Sequence, residues 1–389
     1  MTQRDADVAV VGLGSMGVMA LWMLARRGVS AIGLEQFEPG HDRGEGHGES
    51  KIIRSCYPEG PRYVPLVQAA FGHWRELERE TGVELLTETG AVFIGRPDTG
   101  FVGDARHTAE TCGLPYEILE PDAARSRFPQ HRLEADQVAF FDRQAGLLRP
   151  ELALRTAAAR AEQLGARLVT HARVEAIEEK EDGVEIRTGT DTFRAGQAIV
   201  AAGPWTGKLL PQIEIPLWVE RQVMAWFRAR RPEDFAPKRF PVFIREHGED
   251  RTWYGFPTLD GATIKAALHH GGARSDPDHP DREISAADYE PISALIREAL
   301  PGLDPEPVRG QTCMYTNTAD EHFVIGRPAR MQRLILLGPM SGHGFKFAPA
   351  LGRIGADLAL DGMTSLPIES FSPDRFAAAA TATAAGAPV

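Results

Sequence analysis

Three glycines and a carboxylate carry the clearest chemistry in this chain. Gly12-Leu13-Gly14-Ser15-Met16-Gly17 has the spacing G-x-G-x-x-G. The first glycine permits a tight turn, and the second lets backbone N–H groups approach a pyrophosphate. The third lets a helix pack closely on a strand. Ser15 and Met16 open that helix, whose positive end attracts an anion. Glu35 ends the next strand, where its carboxylate can accept ribose hydroxyls and would repel a 2′-phosphate. These residues describe a dinucleotide site and leave FAD and NAD both open. Lys265 stands in the otherwise apolar run Thr263-Ile264-Lys265-Ala266. Burying an ammonium is costly unless it has a partner or a task; the plainer alternative is a strand-end lysine that reaches solvent. Cys56, Cys112 and Cys313 have neither metal-like nor disulfide-like spacing. Buried core filling is the ordinary fate of such thiols.

The elements that must position these groups follow from periodicity. A β-branched strand over 8–11 leads into the glycine turn, a helix over 18–27 and a capping Gly28, then a strand over 31–34. That is one βαβ opening. Helical spacing returns at 63–81, 151–164 and 350–360. Strand signals lie at 85–93 and 137–141, flanking a less regular stretch. Others lie at 168–169, 172–178, 184–188, 198–202, 217–227, 242–245, 252–255, 263–268 and 334–337. The fold expected is α/β: a Rossmann-like dinucleotide-binding unit into which an α+β substrate unit, built on an antiparallel sheet, is inserted. The first unit comprises 1–83, 146–216 and 322–389; the second comprises 84–145 and 217–321. A cleft between such units is a usual small-molecule site.

Composition narrows the class. The 389 residues are 43% hydrophobic and 25% charged, ordinary for a globular protein, and the net charge of −11 argues against non-specific nucleic-acid binding. The first six residues are polar, and the apolar run from Val8 is interrupted by Gly12. It is far shorter than the ~20 residues of a membrane helix. A cytoplasmic protein without membrane contact is expected. The Ala-, Thr-, Gly- and Pro-rich end over 377–389 reads as a frayed tail. Arg43, Glu45 and Glu49 read as solvated loop charges.

Three further stretches are more specific than the glycine turn. They are Gly46-His47-Gly48-Glu49-Ser50-Lys51-Ile52-Ile53-Arg54, Cys313-Met314-Tyr315-Thr316 with Asp320-Glu321-His322-Phe323, and Ser341-Gly342-His343-Gly344-Phe345-Lys346-Phe347. With the N-terminal fingerprint, they resemble the monomeric sarcosine oxidase and N-methyltryptophan oxidase family of flavoenzymes over nearly the whole chain. The resemblance implies FAD, held covalently by Cys313 at the flavin 8α position. A thiolate is the nucleophile able to make that bond. It implies further cofactor contacts at Ser50, Val174, Gly203, Gly342, Gly344, Phe345 and Lys346.

The same resemblance implies an oxidase of secondary, N-methyl amino acids. Hydride passes to FAD, O2 is reduced to H2O2, and water hydrolyses the imine. Arg54 and Lys346 would hold the substrate carboxylate, and Lys265 would assist the reaction with O2. Tyr254, His269 and Tyr315 would surround the substrate, and the enzyme would be a monomer. Two departures stand out. Lys51 replaces the arginine of sarcosine oxidase and looks closer to the fructosyl-amino-acid oxidase branch. The loop Glu45-Gly46-His47 lacks the usual paired histidines. A fructosyl-amino-acid or cyclic imino-acid oxidase, or an FAD-binding dehydrogenase or sensor that does not use O2, stays open.

Overall fold

The computed structural model describes residues 4–248 and 251–376. The tail expected to fray lies outside the described residues. The opening forms as the periodicity predicts. β1 (Ala6–Val11) runs into the glycine turn, α1 (Ser15–Arg26) follows, and β2 (Ala31–Leu34) lies parallel to β1. Gly28, at φ +69°, supplies the left-handed residue that ends α1. On its other side β1 pairs in parallel with Thr192–Val200, which also pairs in parallel with Leu334–Leu337. Arg167–Val169 extends the sheet beyond β2, and the hairpin Val174–Lys180/Gly183–Thr188 extends it from Thr192–Val200. Parallel strands covered on both faces must be apolar throughout, which explains the near-continuous Val, Ile, Ala and Leu runs. Helix α1 is buried along ten successive residues because Ala348–Leu360 and Pro150–Gln163 pack against it.

A second sheet has eight strands. In spatial order these are Leu303–Thr318, Leu217–Ala229, Thr263–His269, Thr252–Gly255, Val242–Glu246, Ala91–Gly95, Val138–Asp142 and Tyr116–Leu119. Every pairing is antiparallel except that of Val242–Glu246 with Ala91–Gly95. A small third sheet joins Lys51–Ile53, Gly146–Leu148 and Leu86–Glu88. It carries Lys51 and, one residue beyond its first strand, Arg54.

Several elements differ from the sequence reading. The single strand expected over 85–93 is two strands in different sheets, because Gly90 turns the chain at φ +71°. The stretch expected to be irregular contains helices Gly100–Cys112 and Pro121–Arg127 and the strand Tyr116–Leu119. Helix Ala286–Ala299 and most of the long strand Leu303–Thr318 went unread, the first carrying Pro291 and the second Pro305, Pro307 and Gly310. Among the described residues no helix is long and apolar enough to cross a membrane.

Candidate active site

A cavity of about 610 Å³ runs from the glycine turn to the second sheet. Gly12 adopts φ +86°, and a Cβ there would lie 2.6 Å from the Ala201 carbonyl oxygen. At Gly17 a Cβ would lie 1.8 Å from the Gly12 oxygen, so the helix start and the turn touch backbone to backbone. A Cβ at Gly14 would instead meet nothing within 4 Å, since that residue faces the open cavity. No side chain caps the helix end behind it. Open space bordered by N–H donors that no side chain caps fits a pyrophosphate. Glu35 is buried and accepts N–H groups from Leu13 at 2.7 Å and Phe37 at 2.9 Å. Burial would lift its pKa, but His41 and these N–H groups outweigh that and hold it low, so it stays ionised.

Most of the residues singled out in the sequence line this one cavity. Gly12, Gly14, Ser15, Met16, Glu35, Val174 and Gly203 stand toward the first sheet. Lys51, Arg54, Tyr254, His269 and Tyr315 stand toward the other two, with Gly342, Gly344, Phe345 and Lys346 between. Gly17, Ser50, Lys265 and Cys313 do not line it. Gly17 acts in packing. Ser50 belongs to the loop over 44–51, which forms part of the wall, and Lys265 and Cys313 lie against that loop. The Lys265 ammonium donates to the carbonyls of Gly48 and Ser50, both at 2.6 Å, and lies 4.2 Å from the Phe256 ring centre. Burial, reinforced by Lys51, drives its pKa well below the ordinary lysine value. The same loop is pinned from the other side by the Glu151 carboxylate, which accepts the N–H groups of Gly48 at 2.6 Å and Glu49 at 3.1 Å.

Arg54 and Lys346 are brought together although 292 positions separate them in the sequence. They are only 3% and 6% exposed, and both approach the Tyr57 ring, at 4.5 and 5.3 Å. Arg54 donates through Nη2 to Glu59 at 2.7 Å, while its Nε and Nη1 have no partner among the described residues. Lys346 donates to the His343 carbonyl at 2.7 Å. Burial and the neighbouring guanidinium push the Lys346 pKa well down. The pocket sets two basic side chains against the single carboxylate of Glu59 and leaves guanidinium donors unfilled, an arrangement that favours a carboxylate.

Across the cavity the Tyr315 hydroxyl lies 3.5 Å from that of Tyr254 and 3.4 Å from His269 Nδ1. Burial keeps His269 neutral and both phenols protonated. The Cys313 sulfur lies 3.7 Å from the Glu45 carbonyl oxygen. Burial would raise its pKa, yet Lys51 and His47 lower it to about 6.

One sequence reading needs correction. Glu45 is not a solvated loop charge: it lines the cavity and accepts the Thr316 hydroxyl at 2.5 Å. Glu49 keeps its side chain 41% exposed, as a loop charge should, while accepting Trp226 Nε1 at 3.0 Å and pairing with Arg309. Tyr57, Glu59 and His343 went unassigned, although all three surround the two cations. The sequence places Tyr57 and Glu59 within five residues of Arg54, and that proximity was the available signal.

Residues 7–358 match the family described as FAD dependent oxidoreductase. The chain belongs to that family. A monomeric sarcosine oxidase of Streptomyces avermitilis is 40% identical, with 96% of this chain and 98% of that protein covered. An N-methyl-L-tryptophan oxidase of Yersinia pestis is 33% identical, covering 96% of this chain and all of the relative. The solved structure of NikD, an unusual amino acid oxidase essential for nikkomycin biosynthesis, superposes with a TM-score of 0.83 at 25% identity. That match covers 95% of this chain and 98% of NikD. The family anticipated from the motifs is thereby established, together with its FAD dependence and its α/β architecture. The open space before Gly14 and the ionised Glu35 fit that cofactor.

Proposed function

We propose that this FAD-dependent oxidoreductase oxidises secondary, N-methyl amino acids and returns the electrons to O2. The observation that carries this reading is the pair of buried cations, Arg54 and Lys346, bordering a cofactor-sized cavity with guanidinium donors unfilled. The relatives named for sarcosine and N-methyl-L-tryptophan support it. FAD, when bound, takes two electrons and a hydrogen from the C–H bond beside the amine, leaving an imine for water to hydrolyse.

The chain's own residues do the rest. Gly12, Gly14, Ser15, Met16 and Glu35 hold the dinucleotide; Ser50, Val174, Gly203, Gly342, Gly344 and Phe345 complete its surroundings. The Cys313 thiolate, near Lys51, tethers the flavin covalently. Arg54 and Lys346 fix the substrate carboxylate, so the reacting carbon is oriented rather than merely near. Tyr254, Tyr315 and neutral His269 offer a polar wall without charge, against which the amine can rest as its free base. Apolar Ile52, Phe101, Ile244 and Phe256 leave room for an N-methyl group or an apolar side chain. Lys265 places a cation beside the loop that carries Lys51, which favours the negative charge developing on oxygen.

In this reading the FAD unit comprises 1–83, 146–216 and 322–389, and the substrate unit comprises 84–145 and 217–321. Its partners are a small amino acid and O2. A monomer follows the name of the bacterial relative. The three free cysteines suit a reducing cytoplasm. A peroxide-coupled screen of N-methyl amino acids of graded side-chain size tests the proposal. Substrate-dependent peroxide is expected. Flavin reduction without peroxide would instead mark a dehydrogenase, and no reduction with any member would overturn the assignment.

A further inference from the structure

Glu45 is a carboxylate that the proposed function leaves unused. Its side chain borders the cavity, and its Oε1 accepts the buried Thr316 hydroxyl at 2.5 Å. Its own carbonyl oxygen lies 3.7 Å from the Cys313 sulfur. No Lys, Arg or His among the described residues pairs with it within 4 Å, so beyond the Thr316 bond the carboxylate keeps acceptor capacity. Glu45 thus lines the cavity and touches the Cys313 sulfur through its backbone, so one residue joins the cofactor space to the thiol. We propose that Glu45 is the proton acceptor for self-attachment of the flavin, taking the proton that leaves the 8α carbon as the Cys313 thiolate bonds there. This rests on the covalent tether proposed above and extends it to a residue with no other task.

The step balances. One C–H bond breaks, its proton passing to Glu45, and one C–S bond forms. Two electrons remain on the isoalloxazine ring, and dioxygen removes them with two protons as hydrogen peroxide. The electrostatics suit the task. Burial, opposed by the Thr316 hydrogen bond and Lys51, lifts the Glu45 carboxyl to about 7, with the Cys313 charge adding to the rise. A group titrating there takes up and sheds a proton at neutral pH. Charged or titratable groups around this corner include Lys51, His47, Lys265, Tyr254 and Tyr315, and a small pocket behind Cys313 adds Asp42, Arg221, Asp281 and Arg282. Both ring nitrogens of buried His47 lack partners among the described residues.

The test uses the full chain produced in riboflavin-starved cells and then mixed with FAD in air. Acid-precipitable flavin fluorescence is followed over time, and reversible FAD binding is measured separately. Native chain should attach flavin at a rate that rises between about pH 6 and 8. Glu45→Gln keeps an acceptor for Thr316. It should bind FAD yet attach it about 100-fold more slowly, the lower end of proton-transfer contributions. The inflection near pH 7 should vanish. Glu45→Ala should regain attachment when formate is added. Attachment by Glu45→Gln at the native rate overturns the inference, as does slow attachment with an unchanged pH profile. So does failure of formate to rescue Glu45→Ala that has bound FAD. If native chain binds FAD but never attaches it, the tether itself falls, and this inference with it.

Discussion

At the scale of single residues the site is a balance of buried charge. Under the proposed role, replacing Arg54 by Gln removes donors to the substrate carboxylate, and charge-assisted hydrogen bonds contribute roughly 1.5–3 kcal/mol. We expect kcat/KM for the best amino acid to fall about 10- to 150-fold, while a substrate analogue without a carboxylate loses much less. Equal losses for both would remove Arg54 from carboxylate binding. Lys265→Met should slow reoxidation of the reduced flavin more than its reduction, as stopped-flow traces of the two half-reactions will show. It also leaves the Gly48 and Ser50 carbonyls without their donor, so thermal stability should drop as well.

His343 supplies a pH effect of definite sign. It faces the Tyr57 hydroxyl at 2.6 Å and the Glu321 carbonyl at 3.1 Å. Its Nε2–H donates to that carbonyl, and Nδ1 accepts from the phenol. Burial drives its pKa from 6.5 to about 3. Between these values the unfolded chain binds a proton that the folded one refuses, so stability falls as pH falls. The contribution is roughly 1.4 kcal/mol per pH unit once below about 6. Urea midpoints measured from pH 7 to pH 4 should decline less steeply in His343→Asn than in the native chain. Arg54, Lys265 and Cys313 were legible from the sequence because motifs flank them. Glu45 was not, because a carboxylate beside glycines looks solvated until Thr316 closes over it.

At the scale of elements, what was legible had a clean period. The βαβ opening switches from strand to helix at a glycine turn, and nothing interrupts either pattern. Where the reading failed, the chain carries a mixed signal. Helix Gly100–Cys112 has two glycines in its first turn. Helix Ala286–Ala299 contains Pro291, although its Ser285/Asp288 capping box was visible as Ser-x-x-Asp. The strand Leu303–Thr318 shifts register near Pro307, so its alternation breaks before Cys313 is reached. Packing between elements yields its own prediction. Gly352 lies where Ala348–Leu360 crosses α1, and a Cβ there would lie 2.5 Å from the Met19 carbonyl carbon and 2.7 Å from the Ala20 nitrogen. Both are backbone atoms in a buried helix, so the helices must separate. Gly352→Ala should destabilise by about 1–3 kcal/mol, read as a lowered denaturant midpoint. Because α1 also presents its N-terminus to the cofactor, FAD binding should weaken in parallel. An unchanged FAD affinity at reduced stability would show that the helix end is held independently of its packing.

Across the whole molecule, the cavity is walled by all three sheets together with the loops over 44–51 and 338–346. A group filling it is held only by the assembled fold, so it must stabilise that fold. How it does so depends on whether Cys313 tethers the group, as proposed above. A reversible ligand that binds only the folded state adds RT ln(1 + [L]/Kd), about 2.7 kcal/mol at a hundredfold excess over Kd. A covalently attached one adds nothing further as free ligand increases, because the unfolded chain carries it as well. The two cases separate in one melting experiment. Native holoenzyme should melt at a temperature independent of added FAD. Cys313→Ala, saturated with FAD, should melt several degrees higher as free FAD is raised through two decades above Kd. Its denatured pellet should be colourless where the native pellet is yellow. If the native melting point climbs with free FAD as steeply as that of Cys313→Ala, the flavin is not tethered. Its retention would then rest on the glycine turn, Glu35 and the enclosing loops alone.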